Sequence, residues 1–214
     1  MTDPYARLAA AAADWDALRP RLDPGSLRRL ALLLAEARTA TGEEARRAAL
    51  RAARLLEELL PDRFPGESRL TAAPEAPAGH LGHTADDLAV LLLDGHRMVG
   101  PVLGEVRARL LAAPALGDAD VLERGPDPYA PDLIRLRAPG GLIRLPAFQF
   151  TADGRVRPTV ARVNALLGAD DDPWGTADWW LSPNAWLGPA PVTLLDTPDE
   201  QRLVDAAEFL AEGE

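Results

Sequence analysis

Chemistry in this 214-residue chain would need side chains able to ligate, attack or exchange protons, and few stand in a usable spacing. There is no cysteine, which removes disulfides, thiolate metal sites and a thiol nucleophile, and suits a reducing compartment. His80 and His83 stand three apart, ahead of Thr84, Asp86 and Asp87. His-x-x-His with no third ligand at a fixed helical offset is a weak zinc signature. The run reads better as the end of a linker where Thr84 caps a helix. Asp170-Asp171-Asp172 lacks the alternate spacing and terminal glutamate of a calcium loop. With Pro173 behind it, it reads as the acidic, proline-led start of a helix. No Gly-x-Ser-x-Gly, phosphate-cradling glycine loop or His-Glu-x-x-His occurs. No catalytic residue, metal site or cofactor site emerges, and the reading is a binding protein rather than an enzyme.

Recognition chemistry is better represented. Between Leu145 and Leu195 lie four of the five tryptophans (Trp174, Trp179, Trp180, Trp186) and two of the four phenylalanines, Phe148 and Phe150. Each tryptophan buries about 150–250 Å² and carries an N–H that wants a partner when buried. Trp174, Asp178 and Leu181 fall on one side of a helix, while Trp179 and Trp186 project elsewhere. Such a helix is buried all round, or is buried on one side and offered to a partner on the other.

The formal charge of −10 is unevenly placed. Residues 1–70 hold 12 arginines against 11 acids, and residues 71–214 hold 11 against 22. The acidic half repels a phosphate backbone, so nucleic acid is a poor ligand for it and a basic protein a better one. Lysine is absent altogether; with alanine, arginine, proline and glycine abundant, this reflects a GC-rich coding bias. Neither a signal peptide nor a run of roughly 20 apolar residues is present, so the expectation is a cytoplasmic protein without a membrane span.

The elements that must position these residues are mostly helical. Residues 1–60 read as a helical hairpin with an extra N-terminal helix. Within it, the alanine run after Asp3 supplies helix propensity but little core, Ser26 caps the second helix, and Thr41-Gly42-Glu43-Glu44 has the form of a capping box. These helices either dimerise, giving a homo-oligomer, or form a layer of the fold. Residues 61–83 are a proline- and alanine-rich linker. Residues 84–144 hold a helix pair over 84–111 and a β-hairpin turning at Pro139-Gly140-Gly141. Residues 145–214 form a compact helical domain ending in a helix opened by Thr197-Pro198-Asp199-Glu200. The fold class is mainly α with a small β-hairpin.

The ordered words of this last domain carry a resemblance. Leu145-Pro146-Ala147-Phe148-Gln149-Phe150, Asp153-Gly154, Asp172-Pro173-Trp174, Trp180-Leu181, Pro183-Asn184, Trp186-Leu187-Gly188, Pro191, Leu194-Leu195 and a final Val-Ala-Ala helix run in that order. The set resembles the toxin-binding domain of Xre/MbcA/ParS-type antitoxins over about a third of the chain. Trp180, Leu181, Pro183, Asn184, Leu187, Gly188, Pro191, Leu194 and Leu195 match the motif. The resemblance implies a small helical fold that wraps a RES-type, NAD-consuming toxin and blocks its active site. It places partner contact on the last helix and tail, with Arg202, Asp205, Phe209, Glu212 and Glu214 joining Trp179 and Trp186. Two departures stand out: Gly188-Pro189-Ala190-Pro191 carries an extra proline, and no DNA-reading helix-turn-helix is evident at the N-terminus. The expected function is therefore antitoxin-like sequestration of a partner protein. The alternatives are a DNA-binding regulator using the 84–111 helix pair, with Arg107 and Arg109 on its second helix, and a scaffold without a toxin partner.

Overall fold

The computed structural model describes residues 3–64 and 82–212, so that residues 65–81 of the linker, with His80, and Glu214 lie outside the described residues. The chain is mainly helical with one small antiparallel sheet, and it divides into two units, residues 1–105 and 106–214. The boundary falls inside a helix, and the 84–144 segment is shared between the units. None of the described helices is long and apolar enough to cross a membrane.

The first unit is built on alanine as much as on leucine. Helix α1 (Pro4–Ala13) is capped by Asp3, whose carboxylate accepts from the Tyr5 N–H at 3.1 Å. It is followed by α2 (Trp15–Leu18), α3 (Pro24–Thr39) and α4 (Gly42–Leu59), and the pairing of α3 with α4 is the most extensive in the unit. Ala11, Ala12, Ala49, Ala52 and Ala53 are buried with Leu8, Trp15, Leu18, Leu30, Leu34 and Leu56. The alanine run read as propensity alone is thus itself core, because a side chain of one methyl lets α1 approach α4 closely.

Two helix starts differ from expectation. Helix α3 begins not at Ser26 but at Pro24, capped by Asp23. One Asp23 oxygen accepts from the Gly25 and Ser26 N–H groups at 2.7 and 3.1 Å, and the other accepts the Ser26 hydroxyl. A full carboxylate outcompetes a hydroxyl at the positive end of a helix, and proline suits the first turn. At α4 the Thr41 side chain makes no capping bond, so the capping box there does not form. The hydrogen bonds to Asp23, the Ser26 hydroxyl first, hold its carboxyl below the usual range. A carboxyl lowered by folding contributes stability above its unfolded pKa of about 3.9, and that contribution disappears as pH falls through the folded value. Asp23→Asn should therefore lie below the wild type in urea midpoint at neutral pH and converge with it in strong acid. A gap independent of pH would refute this assignment.

The capping box after the linker does form. Helix α5 (Ala85–Ala89) opens with the Asp87 N–H on Thr84 Oγ1 at 3.3 Å and the Thr84 N–H on Asp87 Oδ2 at 2.8 Å. It continues as one π-helical turn, Val90–Asp94, closed by Gly95 in the left-handed region. That turn carries Asp94 to Arg38, whose Nη1 lies 3.0 Å from both Asp94 oxygens, while its Nε reaches Asp86 at 2.9 Å.

Helix α6 (Gly100–Ala112) leads into the second unit. There, β2 (Leu136–Arg137) and β3 (Ile143–Pro146) form the expected hairpin, with Gly140 and Gly141 at positive φ in its turn. A further strand, β1 (Ala115–Gly117), pairs with the other edge of β3, setting Leu116 opposite Leu145. Three residues are too few to show a period of two, so β1 left no signal in the sequence. Helices α7 (Asp118–Glu123), α8 (Pro158–Leu166), α9 (Pro173–Leu181) and α10 (Gln201–Glu212) complete the unit, and α8 packs on α10.

Candidate functional site

The tryptophan-rich stretch separates into an interior and an exterior. In the interior, Trp180 is fully buried and its indole N–H donates to Asn164 Oδ1 at 2.8 Å. Asn164 Nδ2 donates to the Asp132 carbonyl at 2.8 Å and to Gln149 Oε1 at 3.0 Å. Gln149 pairs with both backbone groups of Ile134, accepting its N–H at 2.7 Å and donating to its carbonyl at 3.1 Å. Gln149 thus does for Ile134 what a neighbouring strand would do. The relay links α9, α8, the 3₁₀ turn Ala147–Gln149 and the segment before β2, and the side chains of Trp180, Asn164 and Gln149 that make it are all buried. Phe148 and Trp179 flank it, each ring centroid 5.2 Å from Trp180.

Most of the other motif residues also build the fold. Pro146, Phe150, Trp174, Leu187, Pro191 and Leu194 are buried, and Leu181 and Leu195 are half-buried. Pro183 is exposed beside Asn184, whose Oδ1 accepts from the Trp186 N–H at 3.1 Å and the Leu187 N–H at 2.9 Å. The Gly188 N–H then bonds the Asn184 carbonyl at 2.9 Å, with Gly188 itself left-handed. This asparagine-led turn explains why Pro-Asn and Leu-Gly stand where they do: it buries Leu187 and holds Trp186 outward.

The exterior is formed by Trp186 and Phe209, 58% and 56% exposed, with ring centroids 4.6 Å apart. Two large aromatics in contact at the surface form a patch that single exposed apolar residues do not. On α10, Arg202, Asp205, Phe209 and Glu212 all face solvent along one stripe. Asp205 accepts from the Gln201 amide at 3.0 Å, and Arg202 lies 3.9 Å from Asp199. Trp179 is half-buried and packs edge-on against Trp180. Beside Phe209 opens a cleft of about 630 Å³ walled by Leu166, Leu167, Asp171, Asp172 and Leu210.

Several other features fall elsewhere. Arg109, one of two bases on the α6 face considered for DNA, is engaged with Asp178 and with the Leu181 carbonyl. Asp172 caps α9 through the Gly175 N–H at 2.9 Å, and Asp170 pairs with Arg135, so this acid run serves two structural contacts. In the first unit a hollow of about 520 Å³ is lined by Tyr5, Leu8, Arg38, His83 and Asp86, but its one guanidinium is already held by two carboxylates. Asn164 was not singled out in the sequence. Its signal was a polar residue at a core position of the α8 pattern Val160, Val163, Leu167.

No family model, curated protein or solved structure matches this chain.

Proposed function

We propose that the second unit is a protein-binding module of antitoxin type, sequestering a partner through the face built from Trp186, Phe209 and the outer stripe of α10. The observation that carries this reading is the exposed aromatic pair, held in place by the Asn184 turn and the hydrogen-bonded relay beneath it. Aromatic anchors surrounded by a polar rim are the usual energetic centres of protein interfaces. The acidic surroundings favour a basic partner. The ordered motif suggests a RES-type, NAD-consuming toxin as that partner, encoded beside this protein and acting in the cytoplasm.

The test is co-purification with the product of the adjacent gene. Trp186→Ala and Phe209→Ala should each weaken the complex by about 2 kcal/mol or more, roughly 30-fold. Both should leave the urea midpoint nearly unchanged, because exposed rings contribute little to folding. Wild-type affinity in both variants would remove the proposal.

A further inference from the structure

We infer that the cleft beside Phe209, between α8 and α10, receives a lysine or arginine from an amphipathic basic segment of the partner protein. This rests on the protein-binding reading above and adds the chemistry of the group that the partner presents.

Three observations converge on a cation. First, the charged residues lining the cleft are both carboxylates, Asp171 and Asp172, set beside the apolar walls of Leu166, Leu167, Phe209 and Leu210. Second, the carboxylates here are not neutralised in the same way as their neighbours. Asp170 is held by Arg135 and Glu208 by Arg162, whereas Asp171 and Glu212 face solvent with no cationic partner among the described residues. No arginine lines the cleft. Third, the walls suit the aliphatic stem of a basic side chain, and the Phe209 and Trp186 rings favour a cation over their faces. An acidic segment would meet repulsion from Asp171 and Asp172 and from the acidic half of the chain together.

The absence of lysine makes the experiment unusually clean. The full-length protein is titrated with a labelled amphipathic leucine–lysine peptide and with its leucine–glutamate counterpart, read by fluorescence anisotropy at low and raised salt. Carbodiimide then couples protein carboxylates to the amines of the peptide, and mass spectrometry maps the joined residues. The proposal expects binding of the lysine peptide alone, weakened by salt, with cross-links at Asp171 or Glu212. Asp171→Asn should lower affinity about tenfold, and Phe209→Ala should also weaken it. Glu123→Gln, an exposed acid on α7, should change nothing. Equal binding of the glutamate peptide, cross-links concentrated away from the cleft, or an unchanged Asp171→Asn would each overturn it. The two readings fail separately. Loss of the natural complex in Trp186→Ala, with Asp171→Asn indistinguishable from wild type toward both partner and peptide, removes the cleft and keeps the binding module. An intact complex in Trp186→Ala and Phe209→Ala removes the module itself.

Discussion

Asn164→Leu should destabilise the second unit by about 3–5 kcal/mol, although the two side chains are close in size. The substitution opens no large cavity, so its cost is a count of stranded hydrogen-bonding groups. The Trp180 N–H loses its acceptor and the Asp132 carbonyl a donor, while Gln149 Oε1 loses one of its two donors and keeps the Ile134 N–H. Leaving a buried polar group unsatisfied costs about 1–3 kcal/mol, and a connected network loses more than isolated pairs do. Four of the five tryptophans lie in this unit, so tryptophan emission during urea denaturation reports largely on it. Asn164→Asp makes a second, sharper test. It keeps an acceptor for Trp180 but turns a carboxylate oxygen toward Gln149 Oε1 and the Asp132 carbonyl, so it should not rescue. A shift below about 1 kcal/mol in Asn164→Leu would mean that the relay is incidental to stability.

In the first unit the corresponding weak point is ionic. Arg38→Met should cost about 3–5 kcal/mol, because Asp94, only 3% exposed, would remain as a buried carboxylate without its counter-ion. The methionine retains most of the aliphatic stem, so lost packing contributes little. Replacing both partners, as in Arg38→Met with Asp94→Leu, should recover most of the loss, since two apolar groups leave no charge to desolvate. Circular dichroism at the helix band during urea denaturation measures this, as the unit is almost wholly helical. If the double variant is as unstable as the single one, the loss comes from packing and not from the ion pair. The exposed pairs Arg97–Asp16 and Arg21–Asp62 offer a contrast, for surface ion pairs are screened by water and contribute little to stability.

Much of the fold could be read from residues a few positions apart. The helices after Asp3, Thr84 and Asp172 follow from local caps and apolar spacing, as does the hairpin turning at Gly140 and Gly141. Where a local signal had two neighbouring claimants, the stronger one prevailed: Asp23 displaced Ser26 because a carboxylate complements the helix dipole better than a hydroxyl. At α4, Thr41 precedes the helix without capping it. For the candidate site, the aromatic residues and the acidic last helix were visible by type. Which rings face inward was not, because tryptophan is equally suited to a core and to an interface.

The sequence by itself determined the helical class, the hairpin and the acidic second half, since each depends on composition or on neighbours within one turn of chain. Only the tertiary structure decided that Trp180 is interior and Trp186 exterior, that alanine forms core, and that β1 completes a sheet. It also decided the two buried polar centres. Arg38 and Asp94 lie 56 positions apart, and Asn164 reaches the Asp132 carbonyl across 32. Contacts of that range leave no period in the chain. They exist only once burial has removed water as the competing partner and left each donor with one acceptor within reach.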